Sequence, residues 1–216
     1  MFVERDIAGL LKQIARQDVV EIGSDGSIGT ARGASLAHIA ESYGFEYYEA
    51  LRTGHKKANV LVRMYRDPRP EARAREAAVI TAHPQAGNGG TVPGMRQGTL
   101  KALPEAAGAV ALMKDRILFD TLAAAADKRQ QMTAYGSCAF VVLLMLVVGE
   151  PVLALAVGGL LTAFLVGAFR LGAVRRSRIA QRLQDAGYLQ VRDEHGAQRF
   201  LRPGQQLPGH ANPFAC

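Results

Sequence analysis

Cysteine is scarce in this chain: two residues of 216, Cys138 and Cys216. Two cysteines give no disulfide framework, and no Cys/His group has zinc-ligand spacing. Cys216 is the final residue, whereas a prenylation box needs cysteine four from the end. Catalytic signatures are also missing. There is no Gly-x-Ser-x-Gly elbow and no His-Glu-x-x-His helix. The five histidines, His38, His55, His83, His195 and His210, do not pair at metal-binding spacing. The carboxylate pairs Glu46/Glu49 and Asp193/Glu194 are assigned to a helix surface and a turn. The sequence therefore predicts a non-enzymatic protein with no catalytic residue, no cofactor and no metal.

Charge is the third absence. From Thr133 to Phe169 only Glu150 is ionisable as an acid or base of the Asp, Glu, Lys and Arg set, and it stands beside Pro151. A hydrocarbon core about 30 Å thick needs about 20 apolar residues of helix. One unbroken helix over this stretch would reach roughly 55 Å, too long for a single crossing. Proline removes a backbone donor and disfavours helix before it, so Gly149, Glu150 and Pro151 are assigned to a turn at an interface. The expectation is a two-helix transmembrane hairpin, 133–149 and 152–169. A buried hairpin in a soluble core is the alternative, but adjacent apolar runs of this length are rare there. The position, past the middle of the chain, does not suit a signal peptide.

What is present fixes an orientation. Lys114, Arg116, Lys128 and Arg129 precede the first run, and Arg170, Arg175, Arg176 and Arg178 follow the second. Lys and Arg are retained on the cytoplasmic side. The chain is thus expected in a bacterial inner membrane, multi-pass, with both termini cytoplasmic. The Ala/Arg/Gly-rich composition points the same way, to a GC-rich bacterial source. Gly159, Ala163 and Gly167 repeat every four residues on one face. Small residues allow close helix approach, so these three are expected to pack against the first helix or a second copy. The net charge of +7 includes the orienting residues, and a basic juxtamembrane surface attracts anionic lipid heads.

The flanks read as a small α+β architecture. Ile7, Leu10, Leu11 and Ile14 have helical spacing over Phe2–Arg16. Val19–Gly23 and Ser27–Gly29 surround Ser24-Asp25-Gly26, a hairpin signal. Ser35–Leu51 reads as a helix through Leu36, Ile39, Ala40 and Tyr43, and Asn59–Tyr65 alternates as a strand. These elements make a cytoplasmic domain over 1–67. The Gly/Pro density of 68–99 predicts a linker; GNGGTVPGMRQGT lacks P-loop spacing and its Lys-Ser/Thr pair. A membrane-proximal helix is expected over 100–132. A basic helix and β-hairpin follow over 170–202, and a flexible Pro/Gly/Gln-rich tail over 203–216.

Two stretches suggest nucleic acid. SLAHIAESYG, residues 35–44, resembles the first helix and turn of a helix-turn-helix. Helix, Ala-Gly-Tyr, strand, turn and strand from Val174 to Leu201 resembles the last helix and wing of a winged-helix domain, with Arg192, Arg199 and Arg202 on the hairpin. Against this, Glu46 and Glu49 would repel phosphate where a recognition helix brings Arg or Lys. A third class, transport, needs ionisable groups within the spans; only Ser137, Thr162 and Glu150 are polar there. The expected role is a scaffold or docking subunit of a membrane assembly, such as a secretion or conjugation apparatus. Its partners would be lipid and other complex proteins or further copies of itself. A membrane-tethered DNA-binding regulator is the alternative.

Overall fold

Three helices start on proline, whose fixed φ and missing N–H suit the first helical position. They are α3 (Pro70–Ala82), α4 (Pro104–Ala125) and α6 (Pro151–Asp185). The computed structural model describes residues 2–24, 28–54, 59–125, 128–147, 149, 151–193 and 196–205. The other elements are α1 (Phe2–Arg16), β1 (Val19–Ile22), α2 (Thr30–Ser42), β2 (Phe45–Thr53), β3 (Asn59–Arg66), α5 (Lys128–Val147), β4 (Leu189–Arg192) and β5 (Gln198–Leu201). The chain is mixed helix and sheet. It divides into an α+β unit, Met1–Thr121 with Arg182–Cys216, and an apolar helical unit, Leu122–Gln181.

The α+β unit contains an antiparallel sheet in the order β1-β3-β2. Val60, Val62 and Met64 alternate along β3 and are all buried, as the period of two requires for a core face. Ile7, Leu10 and Ile14 of α1 and Leu36, Ile39 and Ala40 of α2 complete that core, joined by Met113 and Ile117 of α4. Each such side chain contributes about 1.5–3 kcal/mol on burial. Both outer strands have backbone groups bound by side chains. Gln13 Oε1 accepts from Glu21 N–H on β1, Asp120 Oδ2 accepts from Ala50 N–H on β2, and Gln205 donates to the Tyr47 carbonyl. Occupied edges do not recruit foreign strands.

Several sequence expectations change here. Residues 45–51 are not helical. Gly44 takes φ +81°, α2 stops at Ser42, and FEYYEALRT runs as β2. A β-bulge between Tyr47 and Glu49 interrupts the alternation that would have marked a strand. The strand after α1, β1, pairs with β3 and not with residues 28–29; residues 25–27 lie outside the described set. The stretch 68–99 is not a bare linker. It holds α3 and a series of turns that bury Val92 and Met95 in the core. The second apolar run and the basic helix after it are one continuous helix, α6. The tail boundary moves too: Gln205 is buried and hydrogen-bonded, and 206–216 lie outside the described residues.

In the apolar unit, α6 is long and apolar enough to cross a membrane, with only 6 % of its most apolar stretch buried. The apolar part of α5, Met132–Val147, is shorter. The Tyr135 and Phe169 rings lie 5.9 Å apart, and a Cβ added at Gly158 would come 2.7 Å from Val142 Cγ2. These two approaches bring 135 close to 169 and 142 close to 158.

Backbone geometry makes one test. Gly23 has φ +100°, and an added Cβ would strike the Val60 carbonyl oxygen; Gly89 has φ +82° with open space around it. Gly23→Ala is expected to cost about 2 kcal/mol or more, and Gly89→Ala about 1 kcal/mol, the left-handed penalty alone. Urea unfolding of the detergent-solubilised full chain, followed by circular dichroism, reads both. Equal shifts would show that the turn at Gly23 is looser than described.

Candidate functional site

The most highly charged interior of the α+β unit lies where its two chain segments meet. Five elements, α2, α4, β2, β3 and β5, and the loop after β5 contribute to it. On α4, Arg116 and Asp120 are four residues apart, so both fall on one helix face, alongside Met113 and Ile117. Arg116 is 2 % exposed. Its Nη2 donates to the Phe200 carbonyl at 2.8 Å and to Gln205 Oε1 at 3.1 Å. Nη1 stands 3.7 Å from Glu41 Oε1 of α2. The guanidinium lies 4.4 Å over the Tyr47 ring and 5.2 Å over the Tyr188 ring, within cation–π range. Glu41 also binds Arg202.

Asp120 is the second node. Its Oδ2 accepts from Tyr47 Oη at 2.6 Å, Ala50 N–H at 3.1 Å and Arg199 Nη1 at 3.2 Å. Arg199 continues to Glu49 at 2.8 Å and Asp193 at 3.1 Å. Glu49 is shared with Arg63, which also binds Glu21. Gln205 Nε2 donates to the Tyr47 carbonyl and to Tyr65 Oη, and Tyr65 Oη donates to Glu46 at 2.8 Å. Arg69 joins Asp67 and Glu46 and donates to the Gly204 carbonyl at 2.7 Å. Phe119 and Phe200 pack edge to face at 4.8 Å, and Arg182 pairs with Asp115 at 3.2 Å. The segments before and after the apolar helices thus form one folded body.

Burial pushes the Asp120 carboxyl pKa up, against the pull of Arg199, Tyr47 and Ala50. Burial likewise raises Glu41, against Arg202 and Arg116. At Asp67 burial works upward but hydrogen bonds from Arg69 win, and its pKa is lowered. These groups are acceptors locked to guanidinium donors, an arrangement that holds elements together.

The basic wing residues read differently in this light. Arg199 and Arg202 are ion-paired to carboxylates rather than offered to phosphate; Arg192 remains exposed. Glu46 and Glu49 lie on β2 rather than on a helix surface, and each binds arginine. With β2 in place of a recognition helix, the helix-turn-helix likeness ends at Gly44. Lys56 and Lys57 lie outside the described residues.

The apolar unit carries the remaining candidates. Gly149 takes φ +89° and donates to the Leu146 carbonyl at 3.1 Å, Pro151 opens α6, and Glu150 lies outside the described residues. Lys128 and Arg129 open α5. Arg170, Arg175 and Arg178 are exposed on α6, and Arg176 is half-buried. Gly159 and Gly167 would meet nothing within 4 Å if given a Cβ, and Ala163 is exposed. The close approach to α5 falls at Gly158, one position along, with Ala154 fully buried one turn earlier. The stripe at 159, 163 and 167 is therefore not the packing face between α5 and α6.

Sequence reading missed Glu41, Arg116, Asp120 and Gln205 as partners. One signal was available: Arg116 and Asp120 interrupt the apolar face of α4 at helical spacing, which marks charges turned inward. No protein family, curated protein or solved structure matches this chain.

Removing Arg116 leaves Glu41 its Arg202 but deprives the Phe200 carbonyl and Gln205 of a buried donor, a loss of about 1–3 kcal/mol. Arg116→Met is expected to destabilise the full chain by that amount in urea unfolding. A loss below about 1 kcal/mol would show that the guanidinium is dispensable. The pH dependence has a definite sign. The folded state protonates Asp120 more readily than the unfolded chain does. Its contribution is fully present below the ordinary carboxylate pKa of about 4 and is lost as pH rises through the folded value. Asp120→Asn is expected to flatten the fall of the urea midpoint with rising pH. An unchanged slope would remove Asp120 from that linkage.

Proposed function

We propose that this protein is a non-enzymatic membrane scaffold. In this reading α5 and α6 form a two-helix transmembrane hairpin, and the α+β unit is a cytoplasmic docking body for a larger membrane assembly. The observation that carries the reading is the union of both flanks in one folded body. A segment that leaves and returns to the same body enters and exits any membrane on the same side. An even number of crossings follows, which is what two adjacent apolar helices supply.

Other observations support it. Large apolar side chains stand exposed on both helices, among them Phe140, Leu143, Leu155, Leu160 and Phe164. An apolar surface of this extent needs a lipid or protein cover. The apolar part of α5, Met132–Val147, gives about 24 Å of helix. That is short of a hydrocarbon core of about 30 Å, a deficit that bilayer thinning absorbs at modest cost. Basic residues lie in the first turn of α5 and in the later half of α6, and none lies in the turn between. This asymmetry favours a cytoplasmic α+β unit. An inner-membrane location in a bacterium, and a role in a secretion or conjugation apparatus, remain part of the proposal on composition and charge alone.

Site-directed labelling tests it. In a Cys138→Ala/Cys216→Ser background, Gly149→Cys is expected to react with a membrane-impermeant maleimide applied outside intact cells. Gly196→Cys is expected to react only after the cells are opened. Labelling of both from outside, or extraction of the chain by alkaline carbonate without detergent, would overturn the hairpin.

A further inference from the structure

The arginines of this protein fall into two chemical groups. In the α+β unit Arg63, Arg66, Arg69, Arg116, Arg199 and Arg202 all hold carboxylates. Midway along α6 the opposite holds. From Pro151 to Gln184 there is no Asp or Glu, so Arg170, Arg175 and Arg178 have no acidic neighbour one turn away on their own helix, whereas Arg182 nearer its end pairs with Asp115. Arg170, Arg175 and Arg178 are exposed and make no ion pair among the described residues. Of the 26 Lys and Arg, six lie in residues 122–181, against two of the 19 Asp and Glu. The positive excess is thus concentrated in the segment that also carries the apolar surface.

Position along the helix gives these charges a specific level. Arg170 directly follows Phe169, the end of the apolar run. Arg175 and Arg178 lie about 7.5 and 12 Å further along the axis. The headgroup layer on one side of a bilayer is about 5–8 Å deep. Arg170 then sits at the edge of the hydrocarbon, Arg175 in the outer part of the headgroup layer and Arg178 a few Å beyond it, a distance its long side chain can span. Successive helical residues turn by about 100°, so Arg178 points some 80° and Arg175 some 140° from Arg170, and the three share one broad face of the helix. All three are arginine. The planar guanidinium binds phosphate oxygens in pairs, which the ammonium of lysine does not.

We infer that Arg170, Arg175 and Arg178 form a partial collar, on one broad face of α6, that binds the phosphates of anionic phospholipid headgroups. This rests on the membrane reading above and adds to it a partner of defined chemistry. The collar is a lipid site and not a nucleic-acid site, because it begins at the last apolar residue of α6. A duplex would have to approach phosphate to a helix base already occupied by headgroups.

The test uses the full chain in detergent, titrated separately with dioleoylphosphatidylglycerol and dioleoylphosphatidylcholine, with retained lipid counted by native mass spectrometry. Phosphatidylglycerol is expected to be retained over phosphatidylcholine, by about fivefold for each arginine engaged. Arg170→Gln/Arg175→Gln/Arg178→Gln is expected to abolish the preference. Arg16→Gln/Arg96→Gln/Arg192→Gln removes the same net charge from exposed positions of the α+β unit and is expected to keep it. Circular dichroism confirms that each variant is folded. Equal retention of the two lipids, or equal loss of preference in both triple variants, would overturn the collar. So would tight, salt-sensitive binding of a random DNA duplex that the α6 variant alone loses while lipid preference is absent. A chain that is monodisperse without detergent defeats the membrane reading itself. A detergent-dependent chain that takes both lipids equally defeats only the collar.

Discussion

A buried guanidinium governs this structure. Placing Arg116 in the interior forfeits its hydration, a penalty of several kcal/mol that only close partners offset. Those partners are Glu41 and Tyr47 on one side and Tyr188, Phe200 and Gln205 on the other. The first set comes from the chain before the apolar helices and the second from the chain after them. Neither segment alone can satisfy the cation. The α+β unit is therefore a single body with an insertion, and not two small domains joined by a spacer. The second segment, about 35 residues, is too short to bury much of a core by itself. It gains its structure by closing this site.

The same closure organises the sheet. Strand β2 is an edge, and an open edge invites pairing with other chains. Here its Ala50 N–H goes to Asp120 and its Tyr47 carbonyl to Gln205, while Arg199 bridges Asp120 to Glu49. Gln205, which accepts from the buried arginine, thus also occupies the strand edge. This double use sets how charge is distributed over the molecule. Carboxylates are drawn to arginines inside the α+β unit. Arg170, Arg175 and Arg178 of α6 have no acidic residue one turn away on their own helix, so the positive charge of the chain is expressed there.

Local pattern made part of this legible. The apolar spacing of Ile7, Leu10 and Ile14 marks α1, and the alternation of Val60, Val62 and Met64 marks β3, because each has one buried face. The apolar run is legible because it lacks charge. Strand β2 was hidden by its bulge at Tyr48, which buries consecutive residues and imitates a helix. The turns after α3 were hidden by their glycines. Gly94 reads as looseness, yet its φ is +68° and an added Cβ would lie 2.8 Å from Ala106 Cβ and 2.9 Å from His38 Nε2. That glycine marks close packing. The ion pairs were illegible for a different reason. Glu41 and Arg202 are 161 positions apart, and no spacing rule chooses among the 45 ionised side chains.

The helix seam shows how far a periodic pattern can be read. Two small-residue series run along α6: Ala154 and Gly158, and Gly159, Ala163 and Gly167. Both have the four-residue spacing that permits close helix approach. They differ by about one residue of rotation, some 100° around the helix, so one neighbouring helix cannot seat against both. Composition favours the second series, which is longer. Packing selects the first, because Val142 projects from α5 at the level of Gly158. Spacing therefore names the faces on which close approach is sterically allowed. The side chain opposite decides which of them is used, and that residue belongs to a different helix with its own phase.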